Sequence, residues 1–115
     1  IYQDLITIYG CGGERDSSER EKIMKFVCTN SRKVIFTSDN SRNESFQSIL
    51  DDSLKDHEYS NLIVEADRKQ AIKHGIEILK EDEILLILGK GHEEFQEING
   101  TKIPFNDQKV VEEIL

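Results

Sequence analysis

Three short polar stretches hold the residues best suited to chemistry. The first is Asp39-Asn40-Ser41-Arg42, which follows the apolar run Val34-Ile35-Phe36-Thr37. Arg42 offers a planar fork of donors that suits a carboxylate or a phosphate. Asn40 supplies both a donor and an acceptor. The second stretch is Gly10-Cys11-Gly12-Gly13, leading into Glu14-Arg15-Asp16. The third is Gly89-Lys90-Gly91-His92-Glu93. Brought together, the two arginines and the glutamate would suit a zwitterion, with guanidinium groups for a carboxylate and Glu93 for an ammonium.

The elements that must position these stretches follow from the hydrophobic pattern. Leu5-Ile6-Thr7-Ile8-Tyr9, Lys33–Thr37, Leu62-Ile63-Val64 and Ile84-Leu85-Leu86-Ile87-Leu88 read as strands. The last is the most apolar run, and the expectation is a central strand covered on both faces. Between them lie helical patterns. One covers about Glu19 to Thr29, opened by a Ser18/Glu21 capping box, with Ile23, Met24 and Val27 at helical spacing. The next carries Phe46, Ile49, Leu50 and Leu54. A third opens on an Asp67/Gln70 box and carries Ala71, Ile72, Ile76 and Leu79. Phe95–Ile98 and Thr101–Pro104 flank Asn99-Gly100, a strong hairpin signal. Asn106 then caps a last helix with Val110, Val111, Ile114 and Leu115.

Alternating strands and helices predict an α/β fold: a Rossmann-like, mostly parallel sheet flanked by helices, with a C-terminal β-hairpin and final helix. Ligands of such sheets sit outside the carboxyl ends of the strands. The loops there are 10–17, 38–43, 66–67 and 89–94. Topology alone therefore gathers Arg15, Asn40, Arg42, Lys90, His92 and Glu93 on one edge.

Bulk properties exclude several functions. The 115 residues suit one domain, and no apolar run is long enough for a membrane. A net charge of -8 argues against nucleic acid and anionic membranes as partners. Cys11 and Cys28 have neither C-x-x-C nor zinc spacing, so free buried thiols of a reducing cytosol are expected. The glycines at 10–13 fail the dinucleotide fingerprint, since Arg15 stands at the third glycine position. Leu88-Gly89-Lys90-Gly91-His92 lacks P-loop spacing, and His92 replaces the magnesium-binding hydroxyl. His92 then reads as a loop organiser. Glu14, Asp16, Glu93 and Glu94 read more readily as solvated acidic loops than as a metal site, and no metal site is assigned.

The ordered set Gly10-Cys11-Gly12-Gly13-Glu14-Arg15-Asp16, Thr37-Ser38-Asp39-Asn40-Ser41-Arg42, Ala66-Asp67-Arg68, Gly89-Lys90-Gly91-His92-Glu93, Gln96, and Phe105 with Asp107 resembles the C-terminal domain of Mur ligases. The resemblance covers nearly the whole chain. It implies that residues 1–115 form the amino-acid-delivering domain, with the UDP-sugar and central ATPase domains absent and the domain's first strand and helix missing before Ile1. It also implies a cytoplasmic, ATP-dependent ligase of peptidoglycan synthesis. In that family ATP phosphorylates the carboxylate of the growing peptide, and the amine of the incoming residue attacks the acyl phosphate.

In diaminopimelate-adding members a D-N-P-R motif recognises the distal end of the diamino acid, and Asp39-Asn40-Ser41-Arg42 occupies that place. Carried over, Arg15, Asn40 and Arg42 would hold the distal carboxylate. The Gly89 carbonyl and Glu93 would take the distal ammonium. Asp39, Lys90 and His92 would support the loops. Arg42 favours meso-diaminopimelate over lysine as the incoming residue. Two departures stand out: Ser41 replaces the family's proline, which removes a fixed φ, and Ser18-Glu19-Arg20-Glu21 replaces Gly-Lys-Arg-Pro. ATP and Mg2+ are implied for the full-length enzyme, bound mainly outside this chain, and the chain alone is expected to be inactive. The remaining alternatives are a lysine- or glutamate-adding relative and a non-catalytic Rossmann-like module for an anionic metabolite.

Overall fold

The computed structural model describes residues 4–12, 18–40, 43–88, 95–98, 101–104 and 106–115. Strands β1 (Leu5–Tyr9), β2 (Lys33–Phe36), β3 (Leu62–Val64) and β4 (Ile84–Ile87) form a parallel sheet of order β3-β2-β1-β4. In its register Ile8 lies opposite both Ile35 and Ile87, and Tyr9 opposite Phe36. Neighbouring residues of a strand point to opposite faces, so one β-rich run feeds two cores. Tyr9, Val34 and Phe36 meet Met24, Val27 and Cys28 of α1 (Arg20–Thr29) and Ile49 and Leu50 of α2 (Phe46–Leu54). Ile8 and Ile35 meet Ala71 and Ile72 of α3 (Arg68–Ile78) and Val110 of α4 (Asp107–Ile114). The sheet is thus sandwiched between two helical layers, as the alternating pattern predicts. Strands β5 (Phe95–Ile98) and β6 (Thr101–Pro104) pair antiparallel, as the hairpin signal between them predicts.

Local chemistry explains the helix starts. Ser45 caps α2 by accepting from the Ser48 amide, and Asn106 caps α4 by accepting from the Lys109 amide. Asp67 caps α3 by accepting from the Lys69 and Gln70 amides, as its spacing predicts. Helix α1 departs from expectation. Its N-cap is Glu19, whose backbone is already helical (φ -98, ψ -5) and whose side chain makes no capping hydrogen bond. A capping box needs an extended N-cap, so the Ser18/Glu21 box does not form. Ile23, at helical spacing with Met24 and Val27, is 42 % exposed. In α3, Gly75 lets the helix press on the sheet: a Cβ there would lie 2.7 Å from Ile8 Cδ1. That close approach accounts for a glycine that would otherwise weaken a helix.

The position of β4 is a second correction. Among the described strands it stands at the sheet edge rather than the centre. Leu85 and Ile87 pack on the α3 and α4 side. Ile84, Leu86 and Leu88 point the other way and are 64 %, 39 % and 39 % exposed. An apolar run on both faces reports what the strand is made of, while the α1 and α2 core draws on β1, β2 and β3 and on no residue of β4.

The amino-terminal edge of the sheet is closed by Arg32 and Glu83. The guanidinium donates from Nε and Nη2 to the two Glu83 carboxylate oxygens, and from Nη2 to the Ile78 carbonyl at 3.0 Å. Glu83 also accepts from the Lys80 amide at 2.8 Å. These bonds join the end of α3 to the starts of β2 and β4. Hydrogen bonds from Arg32, aided by Lys80, hold the Glu83 carboxyl down at about 2.

Two outcomes follow from this packing. Ile72→Ala, at a fully buried position, should cost about 3 kcal/mol in urea unfolding, while Ile84→Thr on the exposed face of β4 should cost less than about 1 kcal/mol. The depressed pKa of Glu83 sets a pH window. Its contribution is present above the unfolded-state value of 4.5 and is lost as pH falls through about 2. The acid limb of a stability profile should therefore flatten in Glu83→Gln between those two values.

Candidate functional site

All four sheet strands run the same way, so β1, β2, β3 and β4 deliver their following loops to one edge. The edge predicted from topology is therefore the one the fold builds. Asp39 and Asn40 lie there, half-buried, just past the end of β2. The loop after β1 meets them through Gly10. A Cβ on Gly10 would lie 2.3 Å from the Thr37 carbonyl oxygen and 2.9 Å from the Asp39 amide nitrogen. Glycine is required here because the main chain of the second loop passes directly over it. Thr37 Oγ1, 1 % exposed as a residue, has no hydrogen-bond partner among the described residues. Of the other predicted site residues, Arg15, Arg42, Gly89, Lys90, His92 and Glu93 lie outside the described residues, as does Ser41.

Two buried arginines, neither given a role by motif spacing, organise the same edge. Arg20, at the first turn of α1, has a side chain 5 % exposed. It donates to the Gly12 carbonyl at 2.9 Å, to both Glu44 carboxylate oxygens at 3.0 Å, and to Asp52 at 3.3 Å. The loop after β1 is thereby tied to the segment that leads into α2. Arg68, at the start of α3, has a side chain 0 % exposed. It forms a two-pronged pair with Asp107, both bonds at 2.7 Å. It also donates to the Ser38 and Leu88 carbonyls, each at 3.1 Å. A guanidinium is the side chain for this task, because its fixed fork reaches a carboxylate and carbonyls at once.

The thiols are set apart from any chemistry. Cys28 is buried and free, and burial pushes its pKa up to about 11. Cys11 is free and half-buried, and burial raises it too. Burial thus works against thiolate formation at both positions. Among the described residues no cluster of His, Cys, Asp and Glu is placed to hold a metal ion. Two open hollows of about 490 and 510 Å³ share His57, Glu58 and Tyr59. One runs along α1 from Glu21 to Thr29, and the other lies between the end of α2 and β3.

Comparison with known proteins adds to this geometry. The chain matches the family described as Mur ligase, glutamate ligase domain, over residues 2–91. It is 46% identical over 112 residues to a UDP-N-acetylmuramoyl-L-alanyl-D-glutamate--2,6-diaminopimelate ligase of Aquifex aeolicus (strain VF5), covering 96% of this chain and 23% of that protein. It is 46% identical over 113 residues to the ligase 2 of the same name from Clostridium acetobutylicum, with the same two coverages. A solved structure of a ligase of that name superposes with a TM-score of 0.91 at 35% identity, over 96% of this chain and 23% of that one. The chain thus spans about a quarter of the length of the relatives it matches.

The Arg20 cluster can be tested by stability alone. Arg20→Met should destabilise by about 2 kcal/mol in urea unfolding, because Glu44 and Asp52 lose their shared cation, with solvent at the carboxylates moderating the loss. Glu44→Gln, which keeps an acceptor, should cost less than half of that.

Proposed function

The chain belongs to the Mur ligase family, and from that premise we propose that it is the amino-acid-delivering domain of an enzyme that adds meso-diaminopimelate to UDP-MurNAc-L-Ala-D-Glu. The observation that carries the reading is that Asp39 and Asn40, which open the sequence Asp39-Asn40-Ser41-Arg42, follow a strand of the parallel sheet at the edge where such folds bind ligands. The names of the relatives, which match along almost the whole chain, support the same substrate. In this reading Arg15, Asn40 and Arg42 hold the distal carboxylate of the diamino acid. The Gly89 carbonyl and Glu93 hold its distal ammonium, while Asp39, Lys90 and His92 support the loops.

The reaction is acyl transfer. ATP activates the D-Glu carboxylate of the acceptor as an acyl phosphate. The proximal amine of the bound diamino acid attacks that carbonyl carbon, forming the C–N bond as the C–O bond to phosphate breaks and the amine sheds a proton. The domain contributes orientation: an amine fixed at both distal charges meets the activated carbon without a rotational search. These 115 residues contain no P-loop, and the described residues offer no cradle for Mg2+. In this reading ATP and Mg2+ bind mainly in the ATPase domain of the full-length ligase, and no step is routed through residues described here. The enzyme is then cytoplasmic, and no helix among the described residues is long and apolar enough to cross a membrane.

The deciding experiment is an amino-acid panel on the full-length enzyme. meso-Diaminopimelate should be incorporated in preference to lysine and glutamate. Arg42→Ala should reduce its kcat/KM by an amount equivalent to about 3 kcal/mol, the cost of leaving a buried carboxylate unpaired, and should narrow the gap to lysine. A preference for lysine in the parent, with diaminopimelate use indifferent to Arg42, would sink the reading.

A further inference from the structure

We propose that Arg68 is a positioning residue for the incoming amino acid, holding the loop that leaves β2 in register with the loop that leaves β4. The inference rests on the ligase reading above. Strands β2 and β4 are not neighbours: β1 lies between them. No sheet hydrogen bond joins them, and across two strand spacings they stand roughly 10 Å apart. Arg68 bridges that gap at the carboxyl edge. One arm of its guanidinium takes the Ser38 carbonyl and the other takes the Leu88 carbonyl, each at 3.1 Å.

The pattern of donors separates positioning from simple stabilisation. Neutralising a buried guanidinium requires the carboxylate of Asp107, which Nε and Nη2 already reach at 2.7 Å. The two further bonds go to the points where two strands hand over to two loops. Ser38 stands two residues before Asn40, and Leu88 is joined directly to Gly89. The first loop carries groups assigned to the distal carboxylate, the second those assigned to the distal ammonium. The planar fork therefore sets the spacing between the two halves of the amino-acid pocket. Lysine, a single point charge, could pair with Asp107 but could not hold both carbonyls in one plane.

The test uses the full-length enzyme with two variants. In Arg68→Met combined with Asp107→Leu, both charges leave together, and replacing a buried pair by apolar groups of similar volume commonly preserves stability. Arg68→Lys keeps the cation. Both should melt close to the parent. Both should raise the KM for meso-diaminopimelate by about tenfold or more, as expected for a misplacement on the order of 1 Å, while the KM for ATP stays at the parent value. A folded variant with the parent KM for the diamino acid would overturn the proposal. So would equal rises in both KM values, or failure of both variants to fold, since either makes Arg68 a structural residue alone. If the parent itself does not use diaminopimelate, the ligase reading fails. If the parent uses it and the variants do so equally well, only the role of Arg68 fails.

Discussion

A guanidinium keeps its charge inside a protein, so one with no exposed surface is tolerated only beside a partner, because its lost hydration is worth several kcal/mol. Arg68 is such a group, and much of the carboxyl edge is arranged around satisfying it. Its carboxylate comes from Asp107, at the start of α4, so the last helix is docked where the third begins. Its remaining donors find main-chain oxygens at Ser38 and Leu88. One desolvated cation thus fixes the relative placement of α3, α4 and the ends of β2 and β4. Val110 and Ile72 then pack in the same apolar layer, which closes the lower half of the sandwich.

The same solution recurs. Arg20 gathers Glu44, Asp52 and the Gly12 carbonyl, and Arg32 gathers Glu83 and the Ile78 carbonyl at the opposite edge. In each case the cation bridges segments far apart in the chain; for Arg20 and Arg68 a carboxylate also makes burial tolerable, while Arg32 stays partly exposed. The acidic balance of the sequence has a role here. A chain with 23 acidic and 15 basic residues has carboxylates to spare for each inward-facing arginine. The same acidic balance supplies the internal counter-ions.

The layered fold was legible because period-2 and period-3.6 patterns separate cleanly in this chain. Asp67 and Asn106 announced their helices because each can reach an orphan amide from an extended backbone. The Ser18/Glu21 box misled, since α1 begins with Glu19 already helical and with Arg20 anchored elsewhere. The place of β4 was not legible, because an all-apolar strand looks alike at the centre and at the edge. The gathering of loops on one edge followed from strand direction alone. The two arginines that hold those loops did leave a trace. Arg68 stands three, four and seven residues before Ala71, Ile72 and Gly75, and Arg20 four and seven before Met24 and Val27. A charged residue in phase with an apolar stripe points inward, and its phase is a better guide than its type.

Gly12, Ser38 and Leu88 are held through their main-chain carbonyls and not through their side chains. Every residue type carries that acceptor. The side chains at these anchor points can therefore be exchanged without removing the acceptors the arginines hold. Such a frame separates the inheritance of shape from the inheritance of selectivity. A lineage could substitute within 39–42 to recognise another amino acid while the loop bases stay where they are. Ser41, three residues after Ser38 in sequence and standing where the family pattern has proline, is a substitution of that kind: drift in sequence need not become drift in architecture.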